Sequence, residues 1–147
     1  MILKGSQRGH GKQLAAHLLN VHENDHVEVH QLRGFLANDL AGAFAEIEAT
    51  ALGIKAQQPY FSVSINPPAE GSAKLTDKDF RAAAHRIELA NGLQGQPRAI
   101  VFHEKNGRRH AHVVWSRIDA LTMTAKNLAH FVQTHGSQSG AVSGTWV

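Results

Sequence analysis

The chain has 147 residues, 42% hydrophobic and 18% charged, with 15 lysines and arginines against 12 acidic residues for a formal charge of +3. That is enough apolar chain for one packed domain and too much for a disordered polymer, and the mild basic excess permits a polyanionic partner. The lack of any cysteine excludes disulfides, thiolate metal sites and a cysteine nucleophile, and makes the cytoplasm the default compartment.

Residues 1–12, MILKGSQRGHGK, hold no apolar run long enough for a signal peptide and read as an edge strand followed by a loop. Gln13 to Asn20 places Leu14, Ala15, Leu18 and Leu19 on one side of a short amphipathic helix, where His17 reads as an amphipathic-face residue. HVEVHQL at 26–32 alternates as a strand does, and Gly34 breaks it. Residues 38–52 form an alanine-rich helix capped by Asn38 or Asp39 and ended by Gly53. YFSVSIN at 60–66 alternates strictly until Pro67-Pro68 terminates it. Thr76, followed by Asp77 and Asp79, caps a helix over about 77–91 that Asn91-Gly92 closes. A last helix is expected at 125–133. The order β-α-β-α-β-α-β-β-α predicts an α+β fold, a mostly antiparallel sheet with helices packed on one face. The expected organisation is a single domain over 1–133 with a flexible glycine- and serine-rich tail over 134–147.

The stretch 98–117, RAIVFHEKNGRRHAHVVWSR, carries the chemistry. Asn106-Gly107 is the strongest short hairpin signal, because a type I′ turn needs positive φ at both central residues. Counting outward pairs Lys105 with Arg108, Glu104 with Arg109 and His103 with His110. Strand side chains alternate, so His103, His110 and His112 share one face, with opposed Cβ atoms about 4.5–5.5 Å apart. Three imidazoles at that spacing can hold one metal ion. The other face collects Phe102, Ala111, Val113 and Trp115, with Glu104 facing Arg109 as an opposite-charge pair. Lys105 opposite Arg108, beside a cation, makes sense with an anion such as a phosphate between them.

These motifs resemble those of relaxases of conjugative and mobilisable plasmids, members of the HUH endonuclease superfamily. His110-Ala111-His112 stands for the two histidines around a hydrophobic residue, His103 for the earlier histidine and Arg117 for the following arginine. SVSINPPAE at 62–70, followed by a helix beginning at LTDKDF, is similar to the family's second motif, so the likeness spans about residues 60 to 120. The resemblance implies nicking of single-stranded DNA at a transfer origin in plasmid mobilisation, with accessory mobilisation proteins as further partners. A divalent ion (Mn, Mg or Zn) would sit on His103, His110 and His112, and a protein nucleophile would keep the 5′-phosphate. Lys105, Arg108, Arg109 and Arg117 would hold backbone phosphates.

Three departures mark a divergent or truncated member. Lys105 replaces an acidic residue, Ser116 stands where asparagine is usual, and the tyrosine nucleophile expected near the N-terminus is absent. The nucleophile therefore stays open between Tyr60, the only tyrosine, His30 in the spacing His30-Gln31-Leu32-Arg33, and metal-activated water. A non-catalytic metal-containing DNA-binding module is the reading from another class, and a structural zinc site is disfavoured by the missing cysteines.

Overall fold

A computed structural model describes residues 2–54, 56–68, 70, 74–128 and 140–143. Its elements in chain order are β1 (Ile2–Arg8), α1 (Gly11–Leu18), β2 (His26–Arg33), α2 (Leu40–Leu52), β3 (Tyr60–Asn66), α3 (Asp77–Ala90), β4 (Arg98–Lys105) and β5 (Arg108–Ser116). The short strands β6 (Ile118–Asp119) and β7 (Thr124–Ala125) pair with each other, and β8 (Gly140–Ser143) lies last. Six strands form one sheet in the order β2-β4-β5-β3-β1-β8, every neighbouring pair antiparallel. The α+β class with an antiparallel sheet holds.

The helices do not lie on one face. α3 packs Phe80, Ala84 and Ile87 against Phe61, Val63, Phe102, Val113 and Trp115 on one side of the sheet. On the other side α1 and α2 bring Leu14, Leu18, Phe44 and Ile47 against Tyr60, Ala99, Val101 and Val114. The physical reason stands in the strands themselves: Ala99-Ile100-Val101-Phe102 and Val113-Val114-Trp115 are unbroken apolar runs, as strands buried on both faces require.

Local signals set the helix ends. The Asp39 carboxylate accepts the Gly42 N–H at 2.7 Å to cap α2, and Thr76 with Asp79 forms a reciprocal capping box on α3. α1 begins at Gly11, two residues before the expected start. Gly11 suits this place because a Cβ there would come 2.2 Å from the Tyr60 hydroxyl.

Two expectations near the C-terminus change. Residues 124–125 are in β7 rather than a helix, since Asp119 and Ile118 offer them backbone pairing, and 129–133 lie outside the described residues. Within the tail, Gly140–Ser143 pairs with β1, giving that edge a partner. The rest of the tail, 134–139 and 144–147, lies outside the described residues.

Candidate metal centre and nucleic-acid interface

The β4–β5 hairpin has the register that the turn demands. Asn106 and Gly107 adopt φ of 53° and 74°, and the pairing runs Lys105 with Arg108, His103 with His110 and Val101 with His112. All three histidines consequently project from the α1/α2 side of the sheet, His103 buried against the end of α1 and His110 and His112 partly exposed. Their ring centroids are 4.4 Å (His103–His112), 5.2 Å (His110–His112) and 5.3 Å (His103–His110) apart. One nitrogen from each lies within 4.8 Å of the others, the only such cluster of histidine and carboxylate groups among the described residues.

The electrostatics suit an ion. Burial, followed by the charges of His103, His110 and His17, pushes His112 down to about 3. Burial also lowers His103 and His110, the latter with added repulsion from His103 and Arg108. The imidazoles are therefore neutral at physiological pH, as ligands must be. His103 Nε2 lies within hydrogen-bond distance of the Leu18 carbonyl at the end of α1. A carbonyl only accepts, so Nε2 carries the proton and Nδ1 keeps its lone pair. A backbone carbonyl on the second ring nitrogen is the support that metal-bound histidines commonly have. Three imidazoles without a carboxylate leave a divalent ion its full charge, and no fourth ligand closes the cluster among the described residues.

The four cations of the sequence reading separate into two kinds. Lys105 and Arg108 are exposed on the histidine face, and neither meets a carboxylate among the described residues. With Asn66, Pro67, Asn106, Arg109 and His110 they line a concavity of about 290 Å³ beside the triad. Arg109 instead points through the opposite face. It donates to Asp77 at 2.6 Å and to the Leu75 carbonyl at 3.2 Å, and it lies over the Phe80 and Phe102 rings. The expected pairing of its side chain with Glu104 gives way to Asp77, which α3 brings to that face. Arg117 is buried and donates to the carbonyls of Gln58 and Lys126, so it braces the chain around β7 and cannot serve a phosphate.

Both protein nucleophiles read from the sequence stand apart from the triad. Tyr60 is on the histidine face, but four residues along β3 from Ser64, the partner of His112, hence roughly 13 Å away. It is fully buried and its hydroxyl donates within reach of Glu48 (2.9 Å) and the Phe44 carbonyl (3.1 Å). Burial and the neighbouring Glu48 raise it well above the ordinary tyrosine range. His30 sits at the β2 bulge and packs on Phe102, on the α3 side, with Arg81 at 2.9 Å from its Nε2. The sheet separates it from the triad.

One residue that the sequence assigned to an amphipathic face belongs here. His17, exposed on α1, stands edge-on to His112 with centroids 6.3 Å apart. It also lines a cleft of about 280 Å³ with Arg8, Gly9, His10, Gln13 and Leu14. No local pattern announces this, because it depends on where α1 crosses the sheet.

With this geometry in hand, comparison against protein families matches residues 15–136 to the nuclease domain of MobA/VirD2-like relaxases. The chain belongs to this relaxase family. No curated protein and no solved structure matches it. The relaxase domain is of the nuclease, DNA-binding type, and none of its described helices is long and apolar enough to cross a membrane.

Proposed function

We propose that this relaxase domain is a metal-dependent nickase of single-stranded DNA, acting at a transfer origin in plasmid mobilisation in the cytoplasm, with accessory mobilisation proteins among its partners. The observation that carries this reading is the cluster of His103, His110 and His112 next to two exposed cations that meet no carboxylate among the described residues. His103, His110 and His112 would hold a divalent ion, with manganese, magnesium and zinc the candidates, and it would supply Lewis-acid polarisation of the scissile phosphate. Lys105 and Arg108 bind flanking backbone phosphates and so set the strand's position without reading its bases. Leu18, through its carbonyl, fixes the ring of His103 and its tautomer. Cleavage passes the 5′-phosphate to a protein nucleophile. The engagement of Tyr60 by Glu48 favours one competing reading, hydrolysis by water.

The test incubates the protein with end-labelled single-stranded oligonucleotides of random sequence and Mn²⁺, beside His110→Ala. Nicked product in the wild type and none in the variant supports the proposal. Binding without cleavage in both proteins would reduce the domain to a DNA-binding module.

A further inference from the structure

We propose that His17 is the nucleophile of this domain and holds the cut strand as a phosphohistidine. The inference rests on the nicking function proposed above and deepens it.

Three observations converge on this residue. The first is reach. His17 stands 6.3 Å from His112, yet outside the cluster of three whose nitrogens lie within 4.8 Å of one another. It is thus beside the candidate metal centre without completing it, where a phosphate at that centre and an attacking nitrogen can meet. The second is access. The ring is exposed and forms the wall of the cleft shared with Arg8, His10 and Gln13, so a strand lying in that cleft passes directly over it.

The third is rigidity. Both ends of α1 are tied to the sheet side of the molecule. At its start, the Gly11 N–H donates to Glu48 Oε1 at 2.9 Å, and the Tyr60 hydroxyl donates to that same oxygen. At its end, the Leu18 carbonyl accepts from His103. The lone tyrosine thereby acts as a positioning residue for the helix that presents His17. A nucleophile held at a fixed place by packed elements avoids much of the orientational cost of attack.

Ser64, on the same face, is a weaker nucleophile. The Ser64 hydroxyl, opposite His112 in the sheet, accepts a hydrogen bond from Asn66 at 3.0 Å and needs a general base to attack. An imidazole nitrogen attacks through its own lone pair.

The step balances without a further reactant. One ring nitrogen attacks phosphorus, the P–N bond forms and the P–O3′ bond breaks. The departing 3′-oxygen takes a proton from solvent, and the phosphorylated ring loses its remaining N–H proton to solvent. The products are a free 3′-hydroxyl strand and a 5′-phosphoryl histidine. Attack of a 3′-hydroxyl on that phosphorus reverses the step and reseals the strand.

The linkage chemistry supplies the test. Wild-type protein is incubated with Mn²⁺ and 3′-labelled single-stranded oligonucleotides carrying the candidate transfer origin, then denatured. The expected product is a covalent adduct released by acid or hydroxylamine, stable to alkali, and mapped by mass spectrometry to His17. His17→Gln should lose the adduct while keeping wild-type Mn²⁺ stoichiometry and circular dichroism. His17→Tyr should restore an adduct that is now acid-stable. An adduct at another residue, or one that survives His17→Gln, overturns the assignment. Loss of Mn²⁺ binding in His17→Gln overturns it too, by making the residue a ligand. Cleavage leaving a free 5′-phosphate overturns the nucleophile but preserves the nickase. No cleavage in any protein removes the nickase itself, and this inference with it.

Discussion

Arg108 and Arg109 are neighbours in the chain and stand on opposite faces of one hairpin, and their fates differ. Arg109 meets α3, where Asp77, Leu75, Phe80 and Phe102 enclose its guanidinium. Among the described residues Arg108 meets no carboxylate and no ring, and it stays exposed at the hairpin end. The same contrast runs through the whole sheet. On the α3 face, charge is neutralised internally: buried Glu88 accepts from Arg33, from Arg98 at 3.2 Å and from Trp115 at 2.9 Å. On the histidine face, three imidazoles and two cations are left for something outside the protein. A closed face serves stability, and an open one of the same strands serves binding.

The strongest way to break this comparison is to remove the open face's ligands. His110→Ala with His112→Ala should lower divalent-ion affinity by more than about 100-fold, since even changes to the partners of ligands cost 10–100-fold. Titration calorimetry with Mn²⁺ checks this, and thermal melting should show the fold kept, because the apolar residues of β5 are untouched. Stoichiometric binding in the double variant would dissolve the site.

Acid should also separate the faces. The triad's lowered pKa values mean that the unfolded chain binds more protons than the folded one below the ordinary histidine value of 6.5. Stability of the metal-free protein is therefore full above about pH 6.5 and declines as pH falls towards about 3. Glu88 behaves differently. Burial would raise it, but the hydrogen bonds from Arg33 and Trp115 and the charges of Arg33 and Arg98 lower it below its ordinary 4.5. Its contribution is present above about 4.5 and lost only under stronger acid. Denaturant melts between pH 6.5 and 4.5 should show a decline in the wild type that the double histidine variant largely loses.

Smaller effects sharpen the contrast. Arg109→Ala should cost about 2 kcal/mol of stability, combining a charge-assisted hydrogen bond with stacking on two rings. Tyr60→Phe should cost about 1 kcal/mol through the lost hydroxyl bonds and slow nicking by loosening the start of α1, with any adduct still mapping to His17. An adduct lost in a folded Tyr60→Phe protein but kept in His17→Gln would return Tyr60 to the chemistry. Lys105→Ala with Arg108→Ala should change stability by less than about 0.5 kcal/mol. The same pair should flatten the salt dependence of single-stranded DNA binding by about 1.4 in log–log slope, as two lost phosphate contacts require. An unchanged slope would place the strand elsewhere.

How much of this could be read in advance differs residue by residue. The triad was legible because Asn106-Gly107 sets the register locally and alternation then puts His103, His110 and His112 together. The capping roles of Asp39 and Thr76 were legible for the same reason, since the partners lie three residues away. Tyr60 was placed on the correct strand, but alternation cannot say that Glu48 from α2 will take its hydroxyl. His17 was passed over because its only visible partners were on its own helix.

By itself, then, the sequence determined the elements from β1 to β5, the hairpin register and the gathering of the three histidines, all products of steric rules acting over a few residues. The tertiary structure alone decided that both faces of the sheet are covered. It also decided that Arg109 and Arg117 are engaged while Lys105 and Arg108 meet no carboxylate among the described residues, and that α1 carries His17 to the edge of the candidate metal centre. Those outcomes follow from where helices settle to bury apolar surface summed over the whole sheet, a quantity that no short window of residues contains.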